Sequence, residues 1–198
     1  MPEQQVGSVA RWDFLKAYVR DWHTVGAVAP TSTSVARKMA SLAGVSTAHS
    51  IAEFGPGTGA ITHSLLEALP SDGRMWAFEI YQPFIEHLRA HVDDPRFVLV
   101  ERSAAELGEV RRREVPNGFD AVISSLPFSF LGPDLTREIV RAVAENLRPG
   151  GTFVALQYHP TFLPPYLRES FQQVRRHVHL WNIPPTFLFA ARGARTTS

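Results

Sequence analysis

A glycine-rich segment follows the first buried-strand pattern of the chain and precedes a helical one. Residues 53–59 read E-F-G-P-G-T-G, between the apolar run at 50–52 and an amphipathic stretch at 60–69. Glycines at alternate positions let the main chain turn sharply and approach a ligand closely, because no Cβ stands in the way. This pattern predicts an open α/β sheet that binds a nucleotide-like cofactor at a strand-to-helix turn.

Two acidic residues indicate the character of that cofactor. Glu53 lies two residues before the first glycine, and Glu79 ends the next apolar run, twenty residues after Gly59. A carboxylate at Glu53 would repel a pyrophosphate at the helix N-terminus, so it favours a cofactor with a positive end. Glu79 stands where such sheets place a carboxylate on ribose hydroxyls. Residues 55–60 also satisfy the dinucleotide pattern G-x-G-x-x-A, but an NAD-dependent oxidoreductase would need a catalytic domain for which the chain has little room.

The segments after the turn alternate between strands and helices, which predicts a buried parallel sheet. The expected strands are residues 75–79, 97–100, 119–124 and 152–157, and the expected helices are 82–91 and 133–147. The residues R-P-G-G at 148–151 should end the long helix and start the fifth strand. A helix near 165–172 and two strands, near 174–181 and 186–191, would then close the sheet with an antiparallel pair.

Composition excludes several classes of protein. The 198 residues contain no cysteine, which removes disulfides and thiolate metal sites, and the net charge is +1. No apolar run approaches the ~20 residues that span a bilayer, and charged residues interrupt any signal peptide. We therefore expect one cytoplasmic domain. His177 and His179 share a face of one strand, but no third ligand lies nearby in sequence, so no metal is expected.

About fifty residues precede the glycine turn. Between residues 11 and 23, one helical face collects Trp12, Leu15, Tyr18, Val19 and Trp22, with cationic neighbours. One interpretation is a helix that packs on the core. The other is an interfacial helix, whose aromatic rings lie at the level of lipid headgroups. We assign residues 1–48 to an N-terminal helical extension that acts as a membrane or substrate lid, and residues 49–198 to the cofactor-binding core.

The glycine turn and the acid after the second strand resemble motifs I and II of the S-adenosylmethionine-dependent methyltransferases. Further segments resemble the bacterial phospholipid N-methyltransferases of the rRNA adenine dimethyltransferase-like group. They are residues 14–16, V-G-A-V-A-P-T-S at 25–32, I-S-S-L-P-F at 123–128 and W-N-I-P-P at 181–185.

This resemblance implies a Rossmann-like, seven-stranded sheet with helices on both faces and S-adenosylmethionine as the cofactor. It also implies stepwise methylation of phosphatidylethanolamine towards phosphatidylcholine by an enzyme held peripherally on the inner face of the cell membrane. The partners would be the phospholipid and an anionic membrane surface met by the N-terminal helix, with no nucleic acid.

Two departures from the family pattern affect the expected site. Related RNA adenine dimethylases carry N-[IL]-P-[YF] after the fourth strand, where this chain has S-L-P-F at 125–128. Many relatives have G-D-A after the third strand, where this chain has Arg102, Ser103 and Ala104. The cofactor-binding residues carried over from the resemblance are Glu53, Gly55, Pro56, Gly57, Gly59, Glu79, Ile80, Ser103, Ala104 and Ser124.

Methylation of an amine needs a free lone pair, yet a lysine-like amine with a pKa near 10.4 is almost fully protonated at neutral pH. Tyr158 and His159, at the end of the fifth strand, are the predicted catalytic pair, with His159 as proton acceptor. A solvated histidine at a strand end is the alternative. Aromatic faces would retain the cationic product. The predicted substrate-binding residues are Tyr18, Trp22, Thr31, Phe128 and Tyr158.

Other functions share the same cofactor domain. The main alternatives are a methyltransferase that acts on RNA adenine or on a small-molecule amine, because the fold does not determine the acceptor. A cofactor-binding scaffold without catalysis would need a blocked acceptor pocket, and the sequence shows none.

Overall fold

The computed structural model of the protein describes residues 32–179 and 185–195. Its centre is one seven-stranded sheet. The strands are β1 (Ser50–Phe54), β2 (Arg74–Phe78), β3 (Phe97–Val100), β4 (Phe119–Ser124), β5 (Leu147–Gln157), β6 (Phe171–His179) and β7 (Thr186–Ala194). They lie in the order β3-β2-β1-β4-β5-β7-β6, so the first strand is central.

Strands β1 to β5 are parallel, and β7 is antiparallel to both of its neighbours. The carboxyl ends of the five parallel strands therefore form one edge of the sheet, which we call the carboxyl edge. Phe187 near the start of β7 pairs with Gln157 at the end of β5, and it also pairs with Val178 of β6. The end of the hairpin at which β6 finishes and β7 begins thus reaches the same edge.

Helices cover both faces because the strands are apolar on both sides. The helices are α1 (Thr33–Ala43), α2 (Thr62–Ala68), α3 (Gln82–His91), α4 (Leu107–Glu114), α5 (Phe128–Asn146) and α6 (Pro164–Ser170). One hydrophobic core lies between the sheet and α4, α5 and α6, and the other lies between the sheet, α1 and α2. These features confirm the predicted fold class of a Rossmann-like sheet with helices on both faces.

Helix α1 lies within the segment assigned to the N-terminal extension and packs on the core. The Ser32 hydroxyl accepts the Val35 N–H at 3.4 Å and caps its start, and Gly44 ends it in a left-handed conformation. Val35, Ala36 and Met39 are fully buried against the sheet. The aromatic helix predicted at residues 11–23 and the substrate candidates Tyr18, Trp22 and Thr31 lie outside the described residues.

Helix α5 begins earlier than the sequence predicts. The expected start was residue 133, but a first turn forms from Phe128 and continues through Gly132, whose φ of 78° and ψ of 170° interrupt the helical geometry. The Thr136 hydroxyl bridges this kink, at 3.3 Å from the Phe128 carbonyl and 2.7 Å from the Gly132 carbonyl. The residues R-P-G-G at 148–151 lie within β5, which starts directly after the helix.

No helix among the residues that the structure describes is long and apolar enough to cross a membrane.

Candidate functional site

The glycine turn lies at the carboxyl edge, between β1 and α2. Gly55, Gly57 and Gly59 have φ values of 68°, 58° and 84°, which side-chain-bearing residues rarely adopt. A Cβ on Gly55 would also lie 2.8 Å from Cδ2 of Leu126. The Gly59 N–H donates to the Pro56 carbonyl at 2.9 Å and closes the turn. The turn therefore presents bare backbone at the end of the central strand, as its sequence predicts.

Glu53 is buried beneath this turn, with 1% of its surface exposed. Its Oε2 accepts the hydroxyl of Thr62 at 2.7 Å, and its Oε1 is buried without a hydrogen-bond partner among the described residues. Burial raises the pKa of Glu53 to about 8; the bond from Thr62 opposes this shift and the charge of Glu79 adds to it. A buried carboxyl oxygen without a partner fits a cationic ligand, because such a group would supply the missing charge and hydrogen bond.

Glu79, directly after β2, is also buried and faces the same turn. Its Oε1 accepts the N–H groups of Ile80 and Tyr81, each at 2.9 Å, and its Oε2 accepts the Gly57 N–H at 3.3 Å. Burial raises the pKa of Glu79, and the three backbone donors oppose this effect. Oε2 has a single long bond, so it retains lone pairs for ribose hydroxyls. The two acids chosen from the sequence thus lie at one turn.

The loop after β4 is tied to the glycine turn by contacts that sequence reasoning missed. The Ser125 hydroxyl donates to the Gly55 carbonyl at 2.6 Å, and the Ser125 N–H donates to the Phe54 carbonyl at 3.1 Å. From the other side, the Gln157 amide donates to the Leu126 carbonyl at 2.8 Å. The sequence signal for Gln157 was a polar residue at the end of an apolar strand. For the hydrogen bond from Thr62 to Glu53, the only sequence signal was the position of Thr62 at the start of α2.

The remaining cofactor candidates lie on the neighbouring strand ends. Ser103 follows β3. Its hydroxyl accepts the Ala105 N–H at 3.2 Å, and its own backbone N–H donates to the Glu106 carboxylate at 3.1 Å. This capping box is readable as S-x-x-E, and it gives Ser103 a structural role that the sequence analysis did not assign. Ala104 is buried beside it, and Ser124 is fully buried at the end of β4, where its hydroxyl accepts the Leu126 N–H at 3.2 Å.

The predicted catalytic residues stand further along the same edge. Tyr158 and His159 follow β5, three strand spacings or about 14 Å from the β2 end that carries Glu79. Tyr158 is half-buried, and burial raises the pKa of its phenol. His159 is exposed. In residues 32–179 and 185–195, no group of three or more His, Asp or Glu side chains is arranged to hold a metal ion.

Phe128 does not occupy the place that the sequence analysis gave it. Its ring is fully buried in the core between the sheet and α5, so it cannot form a wall of an open substrate pocket. The early start of α5 turns this residue inwards. The exposed ring of this helix turn is Phe130, with 41% of its surface accessible.

Comparison with known proteins agrees with this geometry. The model of a family described as methyltransferase domain matches residues 51–151, just over half of the chain. An ornithine lipid N-methyltransferase of Singulisphaera acidiphila is 26% identical over 183 residues, which cover 92% of this chain and 95% of that protein. The ribosomal RNA small subunit methyltransferase A of Gloeobacter violaceus is 29% identical over 143 residues, which cover 72% of this chain and 46% of that protein.

The fold has close counterparts among solved structures. The O-methyltransferase TomG from Streptomyces achromogenes, involved in tomaymycin synthesis and solved in complex with S-adenosylmethionine, superposes with a TM-score of 0.63 at 21% identity. The superposition covers 82% of this chain and 81% of TomG. With its strand order, its glycine turn and its two buried acids, the chain belongs to the methyltransferase domain family, as a class I enzyme whose cofactor is S-adenosylmethionine.

Proposed function

We propose that the protein transfers methyl groups to the amine of a membrane lipid, with phosphatidylethanolamine and its partly methylated forms as acceptors. The observation that carries this proposal is the similarity to an ornithine lipid N-methyltransferase over 92% of the chain and 95% of that relative. The similarity to the ribosomal RNA methyltransferase of Gloeobacter violaceus covers less than half of that protein. A lipid amine is therefore favoured over an RNA base.

The loop after β4 supports the same choice. In the RNA adenine dimethylases that the sequence resembles, an asparagine stands at the position of Ser125 and accepts the exocyclic amine of the base. Here the Ser125 hydroxyl donates its proton to the Gly55 carbonyl at 2.6 Å. The side chain that would read an adenine edge is replaced by one that holds the cofactor turn.

S-adenosylmethionine supplies a methyl group on a sulfonium, and the acceptor must present a neutral amine to it. Glu53 would hold the positive end of the cofactor, and Glu79 its ribose, because these carboxyls offer the unused acceptor positions at the turn. Tyr158 remains a neutral phenol at physiological pH because burial raises its pKa. It can orient an amine through a hydrogen bond, whereas the exposed imidazole of His159 is the group that can carry the proton to solvent.

A quaternary ammonium product has no hydrogen to donate, so only aromatic faces and negative charge retain it. Tyr158 is half-buried at the carboxyl edge, and Phe130 presents an exposed ring at the start of α5. We propose these two rings as walls of the acceptor site in place of Phe128. Tyr18, Trp22 and Thr31 remain predicted contributors from the N-terminal segment.

The decisive experiment offers labelled S-adenosylmethionine with four acceptors, each at the same amine concentration. These are detergent-dispersed phosphatidylethanolamine, an ornithine lipid, a ribosomal RNA fragment and free ethanolamine. We expect label in phosphatidylethanolamine and its partly methylated forms. If only the ornithine lipid is labelled, the proposed headgroup is wrong but the acceptor is still a lipid amine. If only the RNA is labelled, the proposal is refuted.

Two variants separate the proposed roles at β5. His159→Ala should lower the rate and move the pH optimum upwards, because a larger neutral fraction of the amine must replace the lost proton acceptor. Tyr158→Phe keeps the ring and removes the hydroxyl, so binding of the methylated product should change little. An unchanged pH profile in His159→Ala would show that this histidine is only a solvated residue at a strand end.

A further inference from the structure

The charges of the chain are unevenly distributed along the sequence. The protein has 20 Lys and Arg residues and 19 Asp and Glu residues, yet its last 28 residues hold four of the arginines and no acid. The described part of this segment is the hairpin of β6 and β7. A nearly neutral protein therefore carries one strongly basic element.

The basic side chains on β6 stand at the open edge of the sheet, because β6 is the last strand in the order. Arg175 pairs with Ala190 and Arg176 with Phe189, so successive arginines point to opposite faces of the sheet. Both are exposed, and neither makes an ion pair or a side-chain hydrogen bond with another described residue. By contrast, Arg192 of β7 donates to the Thr152 hydroxyl at 3.0 Å.

An exposed apolar side chain lies on the same strand as these arginines. Of the large hydrophobic side chains in the described residues, Val178 and Phe130 are exposed, by 49% and 41%. Val178 lies two residues beyond Arg176 and pairs with Phe187, which in turn pairs with the last residue of β5. Phe130 follows the end of β4. Both exposed side chains therefore lie towards the carboxyl edge, where Tyr158 and the glycine turn also lie.

We propose that Arg175, Arg176 and Val178, which we call the basic edge, form a docking surface for an anionic phospholipid membrane that meets the outermost strand edge-on. Arg176 and Val178 then reach the membrane from one face of β6, and Arg175 reaches it from the other. Guanidinium groups that have no partner among the described residues, beside an exposed apolar side chain, suit a surface that offers phosphates and then hydrocarbon. The position of Val178 would bring the carboxyl edge towards the headgroups. This inference deepens the proposed function, because it supplies the orientation in which a lipid amine reaches the site.

Arginine on an edge strand also prevents edge-to-edge pairing with other sheets. That role needs only a charge of either sign at the edge. A blocked edge does not require that the last 28 residues lack every acid. Their four arginines create a local positive field that would attract an anionic surface.

The test measures binding of the full chain to phosphatidylcholine vesicles with and without phosphatidylglycerol, by sedimentation. Neither lipid has a primary amine, so docking is measured separately from methylation. The double variant R175Q/R176Q should bind the anionic vesicles about 30-fold more weakly than the original protein, because each arginine near such a surface contributes substantially to binding. The variant R175K/R176K keeps both charges and should bind within about threefold of the original.

A matched control removes the same charge elsewhere. Arg112 and Arg113 are exposed on α4 and make no ion pair with a described residue, so R112Q/R113Q changes the net charge equally. We expect less than about a threefold effect from this control. Equal losses in the two glutamine variants, or no loss in R175Q/R176Q, would overturn the proposal. So would a loss of single-stranded RNA binding with unchanged vesicle binding, because the surface would then serve nucleic acid.

The two proposals can fail separately. If no lipid is methylated in detergent while R175Q/R176Q still loses vesicle binding, the proposed acceptor is wrong and the docking surface stands. If lipid is methylated in detergent and vesicle binding does not depend on the basic edge, the docking surface is wrong and the acceptor stands.

Discussion

Glu53 is a buried acid, and we expect its protonation to be linked to cofactor binding. With a pKa of about 8, the side chain is mostly neutral at pH 7 in the free protein. A cationic group beside Oε1 would favour the carboxylate, so binding at neutral pH should release a proton. Glu79 is the other acid at this turn; burial raises its pKa, and three backbone N–H donors oppose this shift.

We therefore predict that the affinity for S-adenosylmethionine rises as the pH increases from 6.5 to 8.5. At pH 7, titration calorimetry in buffers with different ionisation enthalpies should show the release of up to about one proton per cofactor bound. Glu53→Gln should abolish most of this proton release and weaken binding. Equal heats in all buffers would contradict the assignment of Glu53 as the partner of the positive end.

The same residue should affect stability in the opposite direction. The pKa of Glu53 is raised from 4.5 in the unfolded chain to about 8 in the fold, so its contribution to stability falls as pH rises between these values and is lowest above 8. Glu53→Gln removes the cost of burying an ionised carboxylate, because glutamine has nearly the same shape and carries no charge. We predict that the cofactor-free variant is more stable than the original by roughly 2–4 kcal/mol at pH 8.5 and by much less at pH 5, measured by urea unfolding.

At the scale of single residues, the sequence predicts cofactor-binding groups from residue type and spacing. Glu53, Glu79 and the turn glycines were chosen in this way, and the structure brings them together at one turn. Thr62 and Ser125 were missed because a hydroxyl side chain gives no sequence signal for its partner, which is Glu53 for Thr62 and the distant Gly55 carbonyl for Ser125. Phe128 was misplaced because a sequence shows which residue is aromatic but not which way its ring points at a helix start.

Among the elements, the loop after β4 has the clearest mechanical role. It receives a bond from Gln157 on one side and gives a bond to Gly55 on the other. Leu126 also fills the space that a side chain at Gly55 would need. The loop after β4 thus fixes the shape of the glycine turn.

We predict that Ser125→Ala weakens binding of S-adenosylmethionine by about three- to tenfold, because a typical hydrogen bond contributes about 1 kcal/mol and its loss frees the turn. Ser129→Ala is the matched control, since Ser129 is half-buried in the same segment and makes no side-chain hydrogen bond with a described residue. Calorimetry on both variants checks this. If Ser129→Ala weakens binding as much, the effect comes from the segment as a whole and not from the bond to Gly55.

Elements with strong local signals were predicted well. The bounds of β3, β4 and α3 agree with the residues expected from their apolar periodicity. The start of α5 was set too late because Pro133 is a strong helix-start signal. The preceding turn is held by the Thr136 hydroxyl, which lies within hydrogen-bond distance of the Phe128 and Gly132 carbonyls across the kink. Helix α1 was not separated from the N-terminal extension, since its buried face is defined only by packing on the sheet.

For the whole molecule, the strand order explains why a lipid acceptor is compatible with this fold. The cofactor turn, the loop after β4, Tyr158 and the end of the hairpin at which β6 finishes and β7 begins all lie at the carboxyl edge, although they come from four separate parts of the chain. The alternation of strands and helices predicts such an edge. The sequence does not show that the acid-free segment forms the outermost strand.

The aromatic helix predicted at residues 11–23 would provide a second membrane contact, and its effect can be compared with that of the basic edge. An interfacial helix binds through buried apolar area, so Trp12→Glu/Trp22→Glu should weaken binding to phosphatidylglycerol-containing vesicles at high as well as low salt. The effect of R175Q/R176Q should shrink as salt screens the charges. We expect cofactor affinity to stay within about threefold in both variants. Arg175 and Arg176 lie on the outermost strand, four places from β1 in the sheet order, and an interfacial helix acts on the membrane rather than on the cofactor.

If the two surfaces contact the same membrane independently, the combined variant should lose roughly the product of the two separate factors at low salt, because independent contacts contribute additively to the binding free energy. Vesicle sedimentation at two salt concentrations measures all four proteins. If Trp12→Glu/Trp22→Glu leaves vesicle binding unchanged and lowers thermal stability, residues 11–23 would instead form a helix that packs on the core. Membrane docking would then depend on the basic edge alone.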